Sequence, residues 1–180
     1  MRLFLALDIP DEDRTALAGL QACLAGGRQV APDLFHITVA YLGDRVRDET
    51  AGDLHDLLGA ARLTCAEIAL RGIGHFGRPE PDALWVGVTP PEPLDALHRR
   101  STRLAREAGL DLSRRRYVPH VTLARYGEGD PQAFTDLDSL LRRHAGFSRP
   151  AFRPSALHLM RSHLGRRGPD YETLASYPLV

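Results

Sequence analysis

The sequence predicts an α+β fold built by duplication. Segments rich in β-branched and aromatic residues alternate with segments whose leucines recur at helical spacing, and no long linker separates them. One eight-residue pattern occurs twice, 84 residues apart, which is close to half of the 180-residue chain. Apolar residues make up 43% and charged residues 26%, enough apolar material for a real core.

Taken in order, residues 2–9 (RLFLALDI) read as a first strand closed by Pro10. Over 11–25 an acidic start is followed by Leu17, Leu20 and Leu24 at helical spacing, and Gly26-Gly27 stop the helix. Residues 34–42 (LFHITVAYL) are a strand ending at Gly43. A helix over 47–61 buries Leu54, Leu57 and Leu58. Strands at 65–73 and 83–89 flank the turn-rich GRPEPD. Pro90, Pro91 and Pro93 open a helix that runs to about Ala108, before Gly109. A strand follows at 118–126, then a helix at 131–143 after Asp130. Two strands, at 154–164 and 170–179, close the chain around GRRGPD.

No apolar stretch reaches the roughly 18 residues of a membrane span, and the acidic start at Asp8 to Asp13 is unlike a secretory leader. Cys23 and Cys65 make neither a disulfide framework nor a metal half-site and are expected in the core, which points to a cytoplasmic protein with reduced thiols. The 23 cations, all Arg, balance 23 acids. Zero net charge argues against a general nucleic-acid coater. The balance is uneven along the chain, however. Arg114, Arg115, Arg116 and Arg125 give 112–127 a charge of +4, and seven arginines from Arg142 to Arg167 give 142–167 a charge of +7, neither stretch holding an acid. Such segregation suggests a local anion-binding face.

The repeat carries the chemistry. His36-Ile37-Thr38-Val39-Ala40-Tyr41-Leu42-Gly43 matches His120-Val121-Thr122-Leu123-Ala124-Arg125-Tyr126-Gly127 as His-aliphatic-Thr-aliphatic-Ala-x-x-Gly. Strand alternation places His36, Thr38 and Ala40 on one face, with Ile37, Val39 and Tyr41 on the other. In the second copy it places His120, Thr122 and Ala124 together. Two polar faces walled by small alanines, meeting across a groove, would bring two imidazoles and two hydroxyls to one small anion. The same alternation puts Arg125 on the opposite face unless the strand bulges.

The paired motifs, at 36–39 and 120–123, resemble those of the 2H phosphoesterase superfamily. The nearer resemblance is to its RNA 2′,3′-cyclic phosphodiesterases, also called 2′-5′ RNA ligases. RLFLALDIP, FHITVAYLGD, GIGHFGRPEPDALWVGV, RRYVPHVTLARYG and the tail with Ser162, Gly168 and Tyr171 carry the likeness, so it covers nearly the whole chain. The first motif departs from the family pattern, with Gln29 and Val30 upstream and Phe35 before His36. The resemblance implies one bilobal domain over 1–180, with an antiparallel sheet and helices in each lobe and a cleft between the sheets. It implies hydrolysis of RNA 2′,3′-cyclic phosphate ends to 2′-phosphomonoesters with no cofactor and no metal, and reversible ATP-independent 2′-5′ joining. By the same resemblance His36 is the proton donor, His120 the proton acceptor, and Thr38 and Thr122 hold the phosphate. Arg125, Arg116, Phe35 and Tyr117 are the implied substrate-binding residues. Imidazole suits both proton roles because its ordinary pKa lies near 6.5. RNA ends or small cyclic phosphates are the implied partners, with no membrane, and a monomer is expected. A phosphodiesterase of small cyclic nucleotides or ADP-ribose cyclic phosphate, and a non-catalytic RNA-end binding module, are the competing readings.

Several other features read as structural. Gly72-Ile73-Gly74-His75-Phe76-Gly77 fits GxGxxG, but Arg78-Pro79-Glu80-Pro81 follows, where a dinucleotide site needs a helix. His55 and His98 are expected at the surface, and Trp85 in a strand core. His144, His158 and His163 lack zinc-ligand spacing.

Overall fold

The structure is a computed structural model and describes residues 1–24, 26–77, 81–113, 116–127, 132–165 and 168–180. Arg114, Arg115, Arg166, Arg167, the centre of the GRPEPD turn and Asp130-Pro131 lie outside the described residues. Among those described, the elements run β1 (Leu3–Leu7), α1 (Asp11–Gln21), β2 (Arg28–Gln29), a 3₁₀ turn (Pro32–Leu34), β3 (Ile37–Gly43), α2 (Asp48–Ala60), β4 (Ala69–Phe76), β5 (Ala83–Thr89), α3 (Glu92–Glu107), β6 (His120–Arg125), α4 (Gln132–Arg143), β7 (Ala156–Gly165) and β8 (Gly168–Pro178). The mixed α+β class and its antiparallel pairing are as predicted. Element ends differ by a few residues. Pro32 draws Leu34 into the 3₁₀ turn, so β3 starts later. Helix α1 ends at Gln21, which leaves Cys23 exposed; only Cys65 is in the core.

The 84-residue offset holds for whole elements. It lays α1 inside α3, β3 on β6, α2 on α4 and β4 on the start of β7. The strand order is β4-β5-β6-β3-β1-β7-β8, with β2 pairing β6. All pairs between these strands are antiparallel, and among the described residues β3 pairs β6 at one position, Ile37 with Val121. A pseudo-twofold axis therefore passes between the residues that follow the two motif histidines. The duplication is interlocked: β4, from the first repeat, pairs β5 of the second, and β7, from the second, pairs β1 of the first. Each half-sheet thus borrows its third strand from the other repeat.

One face of the sheet is aliphatic. Ile37, Val39, Val121 and Leu123 are fully buried there, as are Leu3, Leu5 and Leu7 of β1 and Leu84 and Val86 of β5. Helix α3 lies against β3, and α1 against β6. Each such side chain withdrawn from water contributes about 1.5–3 kcal/mol. The helices cover this face, and the opposite face is left for chemistry.

Candidate active site

The two motif strands lie antiparallel. Continuing the Ile37–Val121 register by one residue sets His36 across from Thr122 and Thr38 across from His120. All four side chains line one cleft of about 720 Å³ on the polar face. Among the described residues β3 and β6 pair at this one position, and the cleft opens beside it.

Both imidazoles are held the same way. Nδ1 of His36 lies 2.8 Å from the Leu34 carbonyl, and Nδ1 of His120 lies 2.7 Å from the Val118 carbonyl. A carbonyl can only accept, so Nδ1 keeps its proton in both rings and Nε2 is the atom that gains or loses one. Nε2 of His36 is 3.0 Å from the Thr38 hydroxyl. Phe4 and Tyr171 flank the His36 ring, with centroids at 5.1 and 5.3 Å. Phe76 and Trp85 flank His120, at 4.8 and 6.0 Å. Burial pushes the pKa of His36 below its ordinary 6.5, and repulsion from His120 and Arg125 adds to this against the raising effects of the Leu34 carbonyl and Asp8. Burial lowers His120 as well, with Arg125 acting in the same direction.

A matched pair of bulges sets which residues reach the cleft. In β3 the pairing runs Ala6–Thr38 and then Leu5–Ala40, so Val39 is the extra residue; in β6 it runs Trp85–Thr122 and then Leu84–Ala124, so Leu123 is extra. An extra residue reverses the side-chain alternation beyond it. Ala40 and Ala124, expected on the cleft wall, are therefore buried at 4% and 0% exposure. Tyr41, expected on the aliphatic face, is 50% exposed and lines the cleft, and Arg125 reaches it too. Each bulge carbonyl is capped from a helix of the other repeat. Gln21 Nε2 of α1 donates to the Leu123 carbonyl at 2.7 Å, and His98 Nδ1 of α3 donates to the Val39 carbonyl at 2.7 Å. His98 is thus half-buried rather than a surface residue.

The remaining sequence-derived residues fall elsewhere. Phe35 is 1% exposed and belongs to the core, not the substrate surface, because the extended backbone after the 3₁₀ turn points it opposite to His36. Tyr117 stacks on His98 at 4.2 Å with a 2° tilt, and its hydroxyl donates to the Thr38 carbonyl at 3.1 Å. Burial pushes its phenol pKa up. Tyr117 and Arg116 line a second cavity and not the cleft. Trp85 is half-buried rather than a core residue. GIGHFG lies on β4: Gly72, at φ +70°, and Arg71 together oppose Gly87 in a bulge, and a Cβ on Gly74 would meet the Trp85 ring at 2.3 Å. The glycines seat the aromatic wall of His120. Arg28 of β2 and Arg2 line the cleft and carried no sequence signal of their own; Arg2 is bonded to Asp44. Ser162, Gly168 and Tyr171, from the β7–β8 hairpin, complete its far wall. Among the described residues, no cluster of three or more His, Cys, Asp or Glu could hold a metal ion, and no helix is long and apolar enough to cross a membrane.

Two antiparallel half-sheets that each present His-x-Thr to one cleft define the 2H phosphoesterase arrangement. The family model of the 2′-5′ RNA ligase superfamily matches residues 8–166. An RNA 2′,3′-cyclic phosphodiesterase of Aeropyrum pernix is 32% identical over 149 residues, covering 82% of this chain and 83% of that protein. A protein of the same description from Geobacillus stearothermophilus is 34% identical over 153 residues; the match covers 81% of this chain and 46% of the longer protein. Among solved structures, E. coli LigT complexed with 3′-AMP superposes with a TM-score of 0.79 at 26% identity, covering 99% of this chain and 97% of LigT. The chain belongs to the 2′-5′ RNA ligase superfamily.

Proposed function

We propose that this chain is an RNA 2′,3′-cyclic phosphodiesterase that opens the cyclic phosphate at an RNA end to leave a 2′-phosphomonoester. The observation that carries the reading is the matched pair of imidazoles: both keep a proton on Nδ1, and both lie on one cleft with Nε2 as the exchanging atom. Neutral His120 takes a proton from the attacking water at Nε2. Protonated His36 gives its Nε2 proton to the 3′-oxygen as the P–O3′ bond breaks, and the 2′-oxygen keeps the phosphate. Thr38 and Thr122 donate hydroxyl hydrogens to the non-bridging oxygens, and Arg125 places its charge beside them. Burial disfavours the charged form of both rings. The anionic substrate reverses this at His36, because a nearby negative charge favours imidazolium. A 5′-hydroxyl attacking in place of water gives the 2′-5′ linkage by the same proton transfers. Both histidines come from one chain, so a monomer suffices, and the free thiols of Cys23 and Cys65 fit a cytoplasmic location.

The test is incubation with RNA ending in 2′,3′-cyclic phosphate in the presence of a chelator. A 2′-phosphate end is the expected product. A 3′-phosphate end would reverse the assignment of the leaving oxygen, and loss of turnover on chelation would overturn the two-histidine chemistry.

A further inference from the structure

A second cavity, of about 540 Å³, opens beside the His120 wall of the cleft. Trp85 links the two: it lines the second cavity, and its ring packs at 6.0 Å against His120, which lines the cleft. Pro119, next to His120 in the chain, and Gly87, which pairs His120 across the sheet, line it too. Among the described residues, the charged side chains that line it are Arg71 from the β4 bulge, Arg99 from α3, Arg116 from the segment before β6, and Asp95. That sum is +2. Asp95 makes no ion pair with any of the three arginines, and among the described residues none of the three has an acidic partner. All three are exposed. Three unpaired guanidinium groups around an aromatic wall suit phosphate oxygens with a base stacked alongside. At the cleft itself, Arg2 is already tied to Asp44.

We propose that this cavity holds the phosphodiester backbone of the RNA strand upstream of the reacting end. The inference rests on the reading above, and it adds that the chain prefers an end on a strand to a lone cyclic nucleotide. The strand leaves the cleft past Trp85, and its next phosphates meet Arg71, Arg99 and Arg116.

The test compares an octaribonucleotide ending in 2′,3′-cyclic phosphate with adenosine 2′,3′-cyclic phosphate, on the natural chain and on Arg71→Ala/Arg99→Ala. The variant should raise KM for the octamer tenfold or more with kcat unchanged. It should make the salt dependence of octamer binding shallower by about one unit of log–log slope, and leave the mononucleotide within twofold. Octamer KM within twofold of the natural chain, or equal loss on both substrates, overturns the proposal. If the natural chain hydrolyses neither substrate, the proposed function fails; the cavity is then read by fluorescence anisotropy with an octamer ending in 2′-phosphate. Tenfold weaker binding by the variant supports the site, and equal binding overturns it. Arg99→Glu alone gives the same readings should the double variant fold poorly.

Discussion

The His36 half and the His120 half share one repeated pattern, yet they enclose their imidazoles differently. Nε2 of His36 is engaged by the Thr38 hydroxyl at 3.0 Å, and its ring lies between Phe4 and Tyr171, the second of these brought by the terminal strand β8. Among the described residues no strand lies beyond β4 as β8 lies beyond β7; the outer side of β4 is bridged by Ser148, and that of the adjoining Ile68 by Phe152. Nε2 of His120 has no hydrogen-bond partner among the described residues, and its ring lies between Phe76 and Trp85. A general base needs a free lone pair to meet water, whereas an acid can rest against a hydroxyl that accepts its proton. A repeated motif therefore yields two differently enclosed imidazoles, in keeping with the acid and base roles proposed for them.

The largest expected effects break the pair. His36→Ala and His120→Ala should each lower kcat by about 10²–10⁴ without changing the thermal midpoint by more than a few degrees. The pH profile separates them. Both rings are lowered in the free protein, so the kcat/KM bell should be centred below 6.5. Bound anion favours imidazolium, so the limbs of kcat should sit higher than those of kcat/KM. His120→Ala should abolish the acidic limb and His36→Ala the alkaline one. The opposite pairing would exchange the two roles.

The threonines come next. Thr38→Val and Thr122→Val should each cost about 10²-fold in kcat if each donates to a developing phosphate charge. Only Thr38 also bonds an imidazole, so only Thr38→Val should move the alkaline limb. Equal movement in both variants would mean that the bond at His36 has no influence on its titration.

How far the sequence reached follows the same division. Residues up to the third position of each motif were legible, because alternation from His36 to Thr38 and from His120 to Thr122 is local backbone geometry. Beyond Val39 and Leu123 it failed, since nothing in ITVAYL or VTLARY marks the extra residue. The bulges depend on caps from Gln21 and His98, far away in the chain. Ala40, Tyr41 and Ala124 were misplaced for that reason, and Arg125 was placed only through the resemblance. The duplication was legible, but the exchange of β4 and β7 between halves was not, because strand order is a long-range property. Phe35 was misread because it adjoins His36, although a neighbour in an extended segment points the other way. The use of Gly74 as a seat for Trp85 was not legible either, because it needed the cross-strand partner.

Gly74→Ala sharpens the contrast at smaller magnitude. The new methyl would overlap the indole of Trp85, a rigid ring packed against His120. The expected cost is about 1–3 kcal/mol in denaturant unfolding, as for other overpacked sites. Activity should fall through His120 alone, so the acidic limb should move and the alkaline limb should stay. Unchanged stability would show that Trp85 is free to shift.

The smallest effect asks whether one bond between the halves aims a catalytic side chain. Tyr117 belongs to the second repeat, three residues before His120, and its hydroxyl donates to the carbonyl of Thr38 in the first. Tyr117→Phe keeps the stack on His98 and deletes that one bond, at about 1 kcal/mol. Combined with Thr122→Val, its effect on kcat should simply add, since Thr122 shares no hydrogen bond with it. Combined with Thr38→Val, it should fall short of the sum, because both changes loosen the same residue. Additivity in both double variants would mean that the Tyr117 bond stabilises the fold without aiming Thr38.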